Sequence, residues 1–208
     1  MKNSPNISKG LAPFLPENCV EPVCHLLREN PCHLVVSRPR KTKLGDFKPG
    51  KPHRISVNGN LNPYAFLITL IHEYAHLTNW EKHAHRAKAH GVEWKTEFRH
   101  WLLPFVKAQV FPPDIEQALD NYLENPAASS CTDLSLQRAL TRYDKRQKLL
   151  VEHIEEGAEF YYSNKGPYLR GPKIRKRYRC VHISSKKVYL FNPLTPVQHQ
   201  VANKTQAL

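Results

Sequence analysis

The run His72-Glu73-Tyr74-Ala75-His76 carries two imidazoles four residues apart with a carboxylate beside the first, which is the HExxH spacing of a zinc hydrolase. On an α-helix the two histidines lie one turn apart on one face, about 5–6 Å between their Cβ atoms. Both rings can then reach one metal at Zn–N distances of about 2.0–2.1 Å. Glu73 projects about 100° round the helix from His72, beside the metal rather than on it, where a carboxylate can take a proton from water that the metal acidifies. With twelve histidines in the chain, a pair at i, i+4 arises readily by chance, so the pentapeptide needs a context that fixes it.

That context begins at Asn62-Pro63, an N-cap residue followed by a first-turn proline, which predicts a helix starting at Pro63. Phe66, Leu67, Leu70, Ile71, Tyr74, Ala75 and Leu77 give it a broad apolar surface. Such a helix packs into a core and pre-organises its ligands. A catalytic zinc takes three protein ligands and leaves one position for water. His83, His85, His90, Glu93, Glu97 and His100 follow within reach in sequence. His83 falls on the right face but about 10 Å too far along the axis. A connection over residues 81–89 returns the chain to His90-Gly91, which opens a second amphipathic stretch with Trp94, Phe98, Trp101 and Leu102 on one face and Pro104 disturbing its far end. His90 is the favoured third ligand. Glu97 and then Glu93 are alternatives, with His83 or His85 behind them. A metzincin needs Gly at position 79 and His at 82, where this chain has Asn79 and Lys82.

The flanking elements read as follows. Residues 17–29 suit a short amphipathic helix and 33–37 an extended segment, with a Gly- and Pro-containing connection over 45–52. Residues 53–57 alternate as a strand before the Asn58-Gly59 turn. Beyond Pro112-Pro113, helices are expected over 114–123 and 134–148, separated by a loop at 125–130. Strands then follow at 159–162, 173–182 and 186–191, with Ser184-Ser185 as a turn. Helix, strands and HExxH helix in that order suit an α+β core with a sheet edge beside the cleft. Such an edge holds an extended peptide by its backbone.

Charge is unevenly spread over a chain of net charge +13. Residues 1–60 hold 10 Lys/Arg against 4 Asp/Glu, residues 61–162 hold 11 against 14, and residues 163–208 hold 10 against none. The densest cluster is Arg170, Lys173, Arg175, Lys176, Arg177 and Arg179, with Tyr168 and Tyr178 interleaved. Basic side chains neutralise phosphates and tyrosines stack on unpaired bases, so this segment is a candidate nucleic-acid surface. Arg38, Arg40, Lys41 and Lys43 form a weaker second cluster. No apolar run reaches 18 residues, which excludes a membrane-spanning helix. Residues 1–10 lack the apolar region of a signal peptide. Cysteines 19, 24, 32, 131 and 180 are odd in number and contain no Cys-x-x-Cys, which suits reduced thiols in a cytoplasmic protein.

Leu67-Ile68-Thr69-Leu70-Ile71-His72-Glu73-Tyr74-Ala75-His76, followed by His90-Gly91-Val92-Glu93-Trp94-Lys95, resembles the core of the SprT-like zinc metalloprotease family. Lys43-Leu44-Gly45-Asp46-Phe47 and His53-Arg54-Ile55-Ser56-Val57-Asn58 resemble the family's approach to its active-site helix. The resemblance implies an α+β, zincin-like core around an HExxH helix. It also implies one catalytic Zn²⁺ on His72, His76 and His90, Glu73 as general base, and cleavage of proteins bound or crosslinked to DNA. Many members carry a C-terminal zinc ribbon with two Cys pairs, but here only Cys180 remains in that region, and one thiolate cannot close a tetrahedral site. A degenerate ribbon without a second, structural zinc is therefore expected.

The expected organisation is a flexible tail over 1–16, a SprT-like metalloprotease domain over 17–150, a basic β-rich region over 151–197 and a flexible tail over 198–208. The expected function is a zinc endopeptidase acting on DNA-associated protein, with DNA held by the basic flanks and no membrane partner. Two other readings stand beside it: a nucleic-acid-binding protein with a structural or vestigial zinc site, and a cytosolic zinc peptidase without DNA dependence.

Overall fold

The computed structural model describes residues 4–40, 42–124, 126, 133–163 and 165–198. The chain forms two units, residues 1–145 and 146–208. Together they make a mixed α+β protein with two separate sheets.

The first unit contains helices α1 (Ser4–Leu11) and α2 (Val20–Glu29), strands β1 (Cys32–Ser37), β2 (Gly45–Lys48) and β3 (His53–Asn58), and helices α3 (Pro63–His83), α4 (Val92–Lys107), α5 (Pro113–Glu124) and α6 (Leu134–Thr141). Its sheet has the order β1-β3-β2, with β3 parallel to β1 and antiparallel to β2, so β2 is an edge. Helix α3 starts where the Asn62 side chain accepts a 3.0 Å hydrogen bond from the Ala65 N–H, with Pro63 in its first turn. Every residue from Ala65 to Ala75 is buried, because α3 packs against β2, β3 and α4 and presents apolar side chains nearly all round. Its end is marked by Ala84 at φ 48°, an uncommon value for a residue with a Cβ, from which the chain turns back towards α4.

Several expectations are corrected. The flexible tail expected over 1–16 instead contains α1, and Leu11 and Leu15 enter the core while Phe14 stacks on Phe66 at 5.4 Å. The i, i+3, i+4 spacing of those three residues supplies a short apolar stripe that a tail would leave in water. The connection expected over 45–52 contains β2. The helix expected over 134–148 ends at Thr141, because Asn62 Nδ2 donates to the Leu140 carbonyl (2.9 Å) and to Asp144 (2.8 Å), and the Tyr143 hydroxyl donates to Asp114 (2.7 Å). These tertiary bonds satisfy the helix end and turn the chain away. Pro104 is accommodated inside α4, which runs on to Lys107. The loop expected over 125–130 lies, apart from Pro126, outside the described residues, as do Lys41, Cys131 and residues 199–208.

The second unit is an antiparallel sheet of order β4-β5-β6-β7, formed by β4 (Glu159–Tyr162), β5 (Lys165–Ile174), β6 (Arg177–His182) and β7 (Val188–Phe191). Its core gathers Val151, Ile154, Phe160, Tyr168, Tyr178, Cys180, Phe191 and Val197. The strand expected over 173–182 is interrupted by a hairpin turn at Arg175-Lys176, where Arg175 takes φ 53°. Leu150 bridges Pro196, and the Val197 N–H donates to the Leu149 carbonyl (2.9 Å), so this unit begins before the boundary expected after residue 150. No helix among the described residues is long and apolar enough to cross a membrane.

Candidate metal centre

His72 and His76 project from α3, and His90 reaches them from the turn before α4, whose N-cap is Gly91. His76 Nε2 lies 3.0 Å from His90 Nε2, which lies 3.4 Å from His72 Nε2. Tetrahedral ligands at a zinc–nitrogen distance of about 2.05 Å sit about 3.3 Å apart, so these separations fit a shared ion. A neutral imidazole carries one proton, and a hydrogen bond accounts for one such contact, whereas a cation engages all three lone pairs. His72 Nδ1 is buried with no hydrogen-bond partner among the described residues, and the ring's polar contact is made through Nε2 at the centre. Among the described residues, this trio is the cluster that can hold a metal ion.

Trp94 is the platform beneath it. Its ring lies 4.6, 5.2 and 4.7 Å from those of His72, His76 and His90, and it stacks on Phe98 at 5.2 Å with an interplanar angle of 9°. Trp94 is fully buried, so one aromatic fixes the orientation of three imidazoles. Burial, and then the neighbouring imidazoles, push the pKa of His72 down to about 3. Burial and then His90 do the same to His76, and burial lowers His90. The three rings therefore stay neutral at pH 7, the form that binds metal.

Glu73 sits beside this trio, on the wall of an open cleft of about 800 Å³ that is also lined by Leu44, Gly45, Asp46 and Phe47 of the β2 edge. Burial, and then the charge of Asp46, push its pKa up to about 8, partly offset by a hydrogen bond from the Phe47 backbone amide and by Arg40 and Lys43. A cation at the trio favours the charged form of that carboxylate. Gly45 is where the edge strand passes closest. A Cβ there would fall 2.5 Å from Glu73 Oε1 and 2.8 Å from Thr69 Cγ2, so only glycine lets the strand lie against the α3 carboxylate. The approach to β2 is held by Arg40, which donates to Asn58 Oδ1 (2.8 Å) and Ser56 Oγ (3.0 Å), while buried Asn58 donates to the Arg40 and Lys43 carbonyls.

No family model, curated protein or solved structure matches the chain. The arrangement of its own residues therefore carries the functional argument. Of the alternative third ligands, Glu97 is engaged by Lys82 at 2.6 Å, and the His85 ring packs edge-on against Trp80. The sequence pattern gave no sign of the Trp94 platform, which reads as a core position of an amphipathic helix, or of the approach of Gly45 and Asp46 to Glu73, which joins residues far apart in the chain.

The basic candidates are corrected in part. Tyr168 and Tyr178, read as base-stacking residues, are buried in the second unit's core; the half-exposed tyrosines there are Tyr162 and Tyr189. Arg170 is mostly buried, its guanidinium 4.2 Å above the Tyr178 ring and 3.4 Å from Glu156. Lys173, Arg175, Lys176, Arg177 and Arg179 are exposed along the β5–β6 hairpin. Of the second basic cluster, Arg40 turns inward, Lys43 pairs with Asp46 at 2.7 Å, and Arg38 is exposed.

Proposed function

We propose that the chain is a zinc-dependent endopeptidase of the SprT-like family with a zincin-like core. The observation that carries this reading is a buried carboxylate, Glu73, held beside three converging imidazoles at the wall of an open cleft. A purely structural metal site has no need of such a group, which argues against a vestigial centre. His72, His76 and His90 would hold zinc, which supplies Lewis acidity to the water and to the scissile carbonyl. Glu73 takes the proton as the water oxygen bonds to the carbonyl carbon, and returns it to the amine nitrogen as the C–N bond breaks. The outer edge of β2, apart from the Phe47 amide that bonds Glu73, holds the extended peptide through its backbone, and Gly45 keeps that edge close to Glu73.

The substrates would be proteins associated with or crosslinked to DNA, a reading supported by the resemblance and by the exposed Lys173, Arg175 and Lys176 at the turn of the β5–β6 hairpin. The buried thiols Cys19, Cys24 and Cys180 suit a cytoplasmic setting. The test is cleavage of a DNA-crosslinked protein, with and without DNA, by the intact chain and by Glu73→Gln. Cleavage confined to the intact chain and stimulated by DNA is the expected result. Persistent cleavage by Glu73→Gln rejects Glu73 as base, and equal rates without DNA favour a peptidase that does not use it.

A further inference from the structure

An antiparallel sheet with one face on a core normally turns polar side chains outward on the other. The second unit does so only in part. Its inward positions, Phe160, Tyr168, Tyr178, Cys180 and Phe191, make the core. On the opposite face, Leu169 of β5 pairs with Val181 of β6, which pairs with Val188 of β7. In the next row Arg179 lies beside Leu190, and at the hairpin end Ile174 pairs with Arg177. Leu169, Val188, Leu190 and Ile174 are 39%, 50%, 52% and 46% exposed. Neighbouring outward aliphatics of this kind mark a surface made for contact.

We propose that this face docks an acidic, aliphatic segment of a partner protein, whose apolar side chains cover Leu169, Val181, Val188 and Leu190 and whose carboxylates pair with Arg177 and Arg179. Charge complementarity selects that occupant. Residues 163–208 hold ten Lys/Arg and no acid, and Glu159, across from Leu169, lies away from the arginine end. On its own copy of this face a second chain offers one carboxylate, Glu159, for the two arginines, and residues 199–208 hold no Asp or Glu. Single-stranded nucleic acid takes aromatic platforms, and the rings of Phe160, Tyr162, Tyr168, Tyr178, Tyr189 and Phe191 belong to the other face or its rim. Interfacial membrane binding of the common kind uses an amphipathic helix with a broad apolar face, whereas this surface is a strand face broken by Arg179 and Glu159. Bidentate guanidinium–carboxylate pairing gives the apolar contact its register.

The test uses the full chain and a fluorescein-labelled peptide of alternating leucine and aspartate, read by anisotropy. Controls are a serine–aspartate peptide, a leucine–lysine peptide, oligothymidylate and phosphatidylserine vesicles. The leucine–aspartate peptide should bind at least tenfold tighter than either control peptide, and Leu190→Ser with Val188→Ser, or Arg179→Ala with Arg177→Ala, should weaken it at least fivefold. Amide shift mapping on the unaltered protein makes the result independent of how the variants fold, and the shifts should cluster on β5, β6 and β7 around these residues. Absent or non-selective peptide binding, or shifts that cluster elsewhere, overturns the proposal. So does binding of oligothymidylate or vesicles that is lost in the Leu190→Ser and Val188→Ser variant while the peptide fails to bind.

Discussion

The two units invert the usual partition of polar and apolar groups in opposite senses. Helix α3 buries His72 and Glu73, while the outer face of β5–β7 exposes Leu169, Val188 and Leu190. Burying an ionisable group costs free energy unless it is paired or neutral, and exposing an aliphatic one forgoes its transfer from water. In the first unit the departure is held from behind and opens only to the cleft: Trp94 lies under the rings, Gly45 passes beside the carboxylate, and Phe98 backs the tryptophan. In the second it is open. A departure that the surroundings hold rigidly suits chemistry, and one left open to solvent suits contact with another molecule.

The sharpest way to break the first half of that comparison is Glu73→Gln. Hydrolysis should fall by about 10² to 10⁴-fold with zinc content unchanged by metal analysis, whereas a loss of zinc would make Glu73 a structural group. Trp94→Ala should lower stability by about 3–5 kcal/mol in denaturant titration, and weaken zinc binding with it, since the three rings lose their platform. Gly45→Ala should cost about 1–3 kcal/mol and depress activity, through the clash with Glu73 and Thr69.

A smaller effect tests the polar support between α3 and α4. Burial pushes the Glu97 carboxyl up, but hydrogen bonds from Lys82, Thr78 and Trp101 outweigh it, and its pKa is lowered. The unfolded chain therefore binds the proton more readily. The stabilisation is present above the ordinary glutamate pKa of about 4.3 and is lost as the pH falls through the lower folded value. Glu97→Gln should flatten that acid limb of the stability curve. The smallest effect belongs to the second unit. Leu190→Ser should shift stability by no more than about 0.5 kcal/mol, and a loss as large as that of Trp94→Ala would falsify the view that this face is surface.

What was legible followed from local rules. An Asn62 cap before Pro63, and histidines at i and i+4, specify a helix start and a shared face from a dozen neighbouring residues, and the structure holds α3 in that register. Three of the four strands of the second unit, β4, β6 and β7, were legible too, but β5 was missed before Lys173, and so was which face is inward. Alternation leaves Tyr168 and Tyr178 equally able to point either way, and the packing of Val151, Ile154 and Phe191 decided it. The end of α6 was hidden for a related reason, since the bonds from Asn62 and to Asp114 come from distant residues.

By itself, then, the amino-acid order determined the pairing of His72 and His76 on one helix face, the carboxylate between them, the helix that carries them and the excess of cations near the C-terminus. These depend on spacing along one helix or on composition, where neighbours in sequence are neighbours in space. Only the tertiary structure brought Gly45 against Glu73, laid Trp94 under three imidazoles, sank Arg170 onto Tyr178 and left four aliphatic residues facing water. Gly45 and Trp94 reach the α3 residues from about twenty to thirty positions away, and the rest is set by strand pairing and packing that no local pattern specifies.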